Sequence, residues 1–155
     1  MKKKQVDVTS AKLADRNNYT KTLQKIIEED ICPFCEEHVS KHHTNPILFK
    51  NTYWIVTKNA WPYPGTKHHF LLISRLHIEA IEKGPADMWV QLQAAYKKLC
   101  KDFKIAGASL VMRSGETAYT GATVRHLHAQ IIIGQKRTST SVPITAVVGY
   151  KKHKT

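Results

Sequence analysis

A chain of 155 residues, 42% of them apolar, fits one domain able to bury a core without disulfides. No apolar run approaches the ~20 residues needed to cross a bilayer, which excludes a membrane-spanning helix. Lys and Arg number 24 against 12 acidic residues, a net charge of +12 that favours polyanionic partners, nucleotides or nucleic acid, without naming a reaction.

The basic start Met1-Lys2-Lys3-Lys4-Gln5-Val6-Asp7 has no apolar stretch behind its charges, so no secretory signal is read and a cytoplasmic location is expected. Residues 1–18 are polar and without clear period. Tyr19, Leu23, Ile26 and Ile27 then recur at helical spacing and predict a short helix over 19–29. The knuckle Cys32-Pro33-Phe34-Cys35 follows, and then a polar stretch from Glu36 to Asn45. Apolar runs at 47–49 and 53–58 read as a β-hairpin. The turn-rich segment Asn59 to Thr66 is a candidate binding rim before a mostly buried strand at 69–74.

Pro85 suits a helical first turn, and Met88, Leu92, Ala95, Tyr96 and Leu99 mark one face of a helix running over 85–103. That stripe is read as core, and Cys100 extends it as a small hydrophobe. Strands are expected at 109–113 and 124–133, joined by a glycine-containing loop over 114–123. Beyond Gln135 the chain is again polar and basic, with one apolar patch from Val142 to Val148, and no internal repeat is visible. The expected fold class is α+β, an antiparallel sheet of about five strands with helices packed on one face. All 155 residues are read as a single domain, with its core over about 31–135 and basic extensions at both ends.

The chemistry concentrates in His126-Leu127-His128-Ala129-Gln130-Ile131-Ile132-Ile133. A period of two puts His126, His128 and Gln130 on one face while Leu127, Ala129 and Ile131 hold the other in the core. Taken alone, this is equally a half-exposed strand that carries two histidines. The segment resembles the signature of the histidine triad superfamily, in the branch that ends in Gln and contains galactose-1-phosphate uridylyltransferases and diadenosine tetraphosphate phosphorylases. His69 to Ile78, with a second histidine at His77, is similar to the superfamily's other histidine-bearing strand, and Gly121-Ala122-Thr123 stands where its small phosphate-contacting residues lie.

The resemblance implies a nucleotidyl transferase or hydrolase that attacks the phosphorus of a nucleoside polyphosphate, such as a diadenosine polyphosphate. His128 is the expected nucleophile, forming a nucleotidyl-histidine intermediate. A backbone carbonyl near the first histidine would hold the other ring nitrogen as a donor. Backbone N–H groups around Gly121 and Thr123, the Thr123 hydroxyl and the Gln130 amide are the expected donors to the phosphoryl oxygens, with Arg113 or Ser114 as further candidates. Gln130 cannot pass a proton to a leaving group as a third histidine could, which favours leaving groups that depart as anions and favours transfer over hydrolysis. Phe34 is the expected base contact. Asn59 is the expected ribose contact, with a simple turn-forming role as its alternative.

Cys32 and Cys35 have the spacing of one half of a tetrahedral zinc site; a redox pair or a purely structural pair of thiols are the other readings. The resemblance supplies two more ligands, His77 and His126, and so implies a closed, structural zinc. His38, His42 and His43 are rival ligands expected to be solvated, and His68 is expected on the surface. His69 is either a satisfied core histidine or a support for the triad. The resemblance further implies a homodimer. Two other readings stay open, both motivated by the charge and by the runs Lys2 to Lys4 and Lys151-Lys152-His153-Lys154. One is a nucleic-acid or nucleotide binding module with little turnover, whose oligonucleotide affinity would fall steeply with salt. The other is an enzyme that removes nucleotidyl groups from nucleic-acid ends.

Overall fold

The computed structural model describes residues 5–13 and 17–152. Lys2 to Lys4, His153 and Lys154 lie outside them. The elements in chain order are α1 (Val8–Leu13), α2 (Asn17–Glu28), α3 (Glu36–His42), β1 (Ile47–Lys50), β2 (Trp54–Lys58), β3 (His68–Ser74), a 3₁₀ turn (Ile81–Lys83), α4 (Asp87–Asp102), β4 (Ser109–Arg113), α5 (Thr117–Thr120) and β5 (His128–Ile133). The strands form one five-stranded sheet in the order β1-β2-β3-β5-β4, with every pair antiparallel. This is the α+β architecture that the strand patterning predicts. Among the described residues no helix is long and apolar enough to cross a membrane.

Alternation along the strands divides the core. Trp54, Val56, Phe70, Leu72, Leu127, Ala129 and Ile131 point to one face, where Met88, Leu92, Ala95 and Leu99 of α4 cover them. Asp87 in the first turn and Lys101 in the last complement the helix dipole of α4, and the buried Trp54 Nε1 donates to the Met88 carbonyl at 2.9 Å. On the opposite face Ile55, Leu71 and Ile73 meet Val39 of α3. Helices therefore cover both faces of the sheet and not one as expected, α4 the larger share of one and α3 part of the other. The polar segment 36–45 hides α3 because Val39 is the only buried residue within the helix.

Two further elements depart from the sequence reading. The polar stretch before residue 19 contains α1, whose Ala11 packs with Val6, Leu23 and Ile26 in a separate apolar cluster. The last strand begins at His128, four residues later than its alternation suggests. Val124 pairs instead with Val6 in an isolated bridge, Asp7 N donates to Thr123 O at 2.8 Å, and Arg125 N donates to Gln5 O at 2.8 Å. The N-terminal segment has taken the backbone groups that a longer β5 would have used.

Candidate functional site

β5 is central, held by β3 on one side and β4 on the other, so its side chains are aimed by two ladders. Just before it, Leu127 N donates to Ile78 O at 2.6 Å and Ser74 N donates to Leu127 O at 3.0 Å. These bonds hold His126 and His128 in register. His128 is buried, and its Nδ1 lies 2.7 Å from the His126 carbonyl. A carbonyl only accepts, so Nδ1 carries the proton and Nε2 keeps its lone pair. Burial pushes the His128 imidazole down to about 4, against the upward pull of the His126 carbonyl and with the Arg113 charge adding to the depression. The ring is therefore neutral at pH 7, the form in which an imidazole is a nucleophile.

His128 and Gln130 line one pocket together with Phe34, Asn59, Arg113, Gly121 and Thr123. Phe34 presents its ring edge-on to His128, with centroids 5.2 Å apart. The Thr123 hydroxyl is 2.7 Å from that of Tyr19. Gln130 Oε1 is 2.9 Å from His69 Nε2. Asn59 Oδ1 accepts from Trp61 N at 2.8 Å, the turn-forming role, and the residue lines the pocket. Arg113 is buried, with Nε directed at Thr120 O (3.1 Å) and Val147 O (3.2 Å), and Nη2 at the Tyr63 hydroxyl (2.9 Å).

Gly121 caps α5 in the left-handed region, at φ 70°, and its N–H donates to Thr117 O at 2.9 Å. That N–H is committed to the helix cap, while Gly121 itself lines the pocket. What the position requires is a glycine: a Cβ there would meet Val147 Cγ1 at 2.7 Å, on top of the cost of positive φ. Ser114 is not brought to the pocket. Its hydroxyl accepts from Ile81 N at 2.9 Å on the 3₁₀ turn and lies 3.4 Å from Glu82.

Residues that the motif reading does not reach complete the walls. Tyr19 comes from α2, Ser10 and Ala11 from α1, Trp61 and Tyr63 from the turn before β3, and Val147 from the C-terminal segment. Tyr19 and Trp61 face each other with ring centroids 5.5 Å apart. A more apolar recess adjoins the pocket, sharing Tyr19, Phe34, Asn59 and Trp61 with it and adding Leu23, Ile26 and Pro33. The expected turn-rich rim thus lies on the pocket, but α1, α2 and the tail reach it only through contacts distant in sequence.

At the other end of the His126-Leu127-His128 segment, Cys32, Cys35, His77 and His126 bring four ligand atoms within 4.8 Å of one another. Cys32 Sγ is 3.3 Å from His126 Nδ1, and Cys35 Sγ is 3.2 Å from His77 Nδ1 and 4.0 Å from His126 Nδ1. Ligands at zinc bond lengths in a tetrahedron stand about 3.5 Å apart for a sulfur and a nitrogen, so the set fits such an ion. His126 Nε2 lies 2.6 Å from the Ser74 carbonyl and must donate to it, which leaves Nδ1 with the lone pair a metal needs. Burial pushes the Cys35 thiol up to about 12, the neighbouring Cys32 adding to the rise, and burial raises Cys32 as well. One buried and one half-buried thiol that resist ionisation without a cation are suited to lose their protons to one.

The rival histidines are occupied elsewhere, and two of them are not solvated as expected. His43 is buried with Nε2 on Lys58 O at 2.8 Å, and His42, largely covered, lies 3.3 Å from Glu29. His68 stacks on Phe70, ring centroids 5.7 Å apart.

The HIT domain profile matches residues 41–137, more than half of the chain. This chain belongs to the HIT domain family. No curated protein sequence matches this HIT chain significantly. Among solved structures it is similar to a HIT family hydrolase from Clostridium thermocellum, with 25% identity and a TM-score of 0.55 over 74% of this chain and 96% of that one. It is similar to a zinc-bound histidine triad family protein from Mycobacterium smegmatis, with 17% identity and a TM-score of 0.54 over 74% and 82% of the two chains. A histidine triad nucleotide-binding protein from Candida albicans gives 18% identity and a TM-score of 0.54 over 73% and 87%. Cys32 and Cys35, like Tyr19 and Val147, fall outside the span that the family profile matches.

Proposed function

We propose that this HIT domain chain is a nucleotidyl transferase acting on nucleoside polyphosphates, with dinucleoside polyphosphates as its substrate class. The carrying observation is the 2.7 Å contact of the buried His128 Nδ1 with the His126 carbonyl, which leaves Nε2 its lone pair, in a pocket that also holds Gln130, Thr123 and Arg113. In the first step Nε2 bonds to phosphorus while the bond from phosphorus to the bridging oxygen breaks, and the remaining nucleotide or pyrophosphate leaves as an anion. In the second an acceptor oxygen bonds to phosphorus, its proton goes to solvent, and the bond to Nε2 breaks. Gln130 supports departure of an anion because it has no proton to hand over. The adjoining apolar recess with Phe34 and Trp61 suits a base, and Asn59 between recess and pocket suits a ribose oxygen. The hydrolase name of one structural neighbour and the nucleotide-binding name of another support nucleotide chemistry in general, and the preference for transfer rests on Gln130 alone.

Incubation with diadenosine tetraphosphate followed by intact-mass and peptide spectrometry should find one nucleotidyl group, on His128. Label on another residue, or none with any nucleotide, overturns the mechanism.

Cys32, Cys35, His77 and His126 would hold a structural zinc, supported by the fit of the four ligand atoms and by the zinc-bound neighbour. The ion would supply order and no catalytic step. Elemental analysis of protein purified without added metal should give one zinc per chain; a stably folded, zinc-free protein sinks the assignment. A homodimer is supported by the exposed Trp89 of α4, which shares an apolar recess with the exposed Leu110 of the edge strand β4. Equilibrium sedimentation at micromolar concentration reads it directly, and a monomer there overturns it.

A further inference from the structure

We propose that His69 is a positioning residue that sets which way the Gln130 amide faces, and so makes Gln130 a donor to the reacting phosphoryl group. The proposal rests on the nucleotidyl-transfer reading and names what holds one of its parts. Tyr63 N lies 3.1 Å from His69 Nδ1. A main-chain N–H can only donate, so Nδ1 carries the lone pair and the neutral ring has its proton on Nε2. That Nε2 is 2.9 Å from Gln130 Oε1, an oxygen that can only accept. The carbonyl end of the amide is thereby held on His69, and its NH2 is left for the pocket that Gln130 shares with His128. His128 and Gln130 stand two residues apart on β5, about 7 Å along the strand and on one face, so a nucleophile and a donor can address one phosphoryl group.

A second amide stands beside the same ring. Asn59 Oδ1 accepts from Trp61 N at 2.8 Å, which puts its Nδ2 3.1 Å from His69 Nε2. With Nε2 protonated these are two donors that cannot bond each other, so the Asn59 amide is oriented by the Trp61 N–H and not by His69. His69 itself is buried beneath the Tyr63 ring, with centroids 4.8 Å apart, and is paired with Ile132 across the sheet. It acts through the Gln130 amide and does not itself line the pocket. A leucine would fill the same space and leave the Gln130 amide free to turn its oxygen toward the phosphate, where an acceptor opposes the developing negative charge.

A double-mutant cycle read by the single-turnover rate of His128 nucleotidylation tests this. His69→Leu should slow adduct formation by about 10- to 100-fold, somewhat less than the ~10²–10³ of a deleted oxyanion donor. His69→Gln, whose amide can still donate to Gln130 Oε1, should recover most of that rate. In a Gln130→Ala background His69→Leu should add nothing, whereas independent, additive losses overturn the proposal. Nitrogen-15 NMR of the wild-type ring should find His69 protonated on Nε2 and bare on Nδ1; the opposite tautomer overturns it even if His69→Leu fails to fold. A wild type that forms no adduct with any nucleotide sinks the transfer reading instead, and the ring tautomer still decides how Gln130 is held.

Discussion

The two faces of the sheet are built from the same strands and do different things. Toward α4 the strands present Trp54, Phe70, Leu72, Ala129 and Ile131, an unbroken apolar layer. Toward α3 and the two chain ends the same strands present His69, His128 and Gln130, each buried and each paired with a specific partner. The apolar face tolerates the loss of any one orientation because dispersion is nondirectional. The polar face depends on which nitrogen carries which proton. Alternation lets one strand serve both demands at neighbouring residues.

Substitutions on the two faces should separate rate from stability. His128→Ala should have the largest effect, lowering turnover by more than the ~10²–10³-fold of a lost orienting contact while leaving folding and nucleotide binding in place. Steady-state kinetics beside a nucleotide titration check it, and near wild-type turnover would refute it. Leu99→Ala, on α4, should reverse that pattern. Denaturant unfolding should give a loss of about 2–5 kcal/mol, with rate per folded molecule nearly unchanged. Cys35→Ser sits between the faces. It should weaken zinc retention by more than the roughly 10- to 100-fold that an outer-shell partner is worth, and lower the melting temperature more than it alters the chemistry.

Gln130→His should come next, shifting partition from phosphate toward water as acceptor by about tenfold, because a histidine can protonate a poor leaving group as the amide cannot. Product analysis with both acceptors present decides, and an unchanged ratio shows that Gln130 does not control the choice. Gly121→Ala should be smallest, about 1–2 kcal/mol from the positive φ, increased if Val147 cannot move aside. It should show first as weaker nucleotide binding, because Val147 lines the pocket.

Local pattern made the sheet and α4 readable, and the ordered motifs made His128, Gln130 and the Cys-x-x-C knuckle readable. What stayed hidden has a common physical origin. α3 buries a single valine inside a charged stretch, too little for a periodic signal. The true start of β5 depends on Val6, more than a hundred residues away, taking the place beside Val124. Ser114 looked available because its partner, the Ile81 N–H, lies in a turn that no local rule connects to it. The role of His69 was ambiguous because only a neighbouring N–H, that of Tyr63, decides its tautomer. The chemistry of the site is written in short words, and its walls in contacts between distant segments.

Those walls have an ordering consequence. Tyr19 reaches Thr123, Thr117 Oγ1 donates to Asp7 Oδ2 at 2.7 Å, Tyr150 donates to the Ser10 hydroxyl at 3.0 Å, and Val147 O receives Arg113. Each closes a long or late loop and buries little apolar surface beside the layer under α4, so these contacts belong to the least protected unit of the molecule. On refolding, the sheet and α4 would form before the pocket exists. On warming, the pocket would come apart first, and the nucleotidyl transfer proposed for it would fade at temperatures where circular dichroism still reports an intact fold.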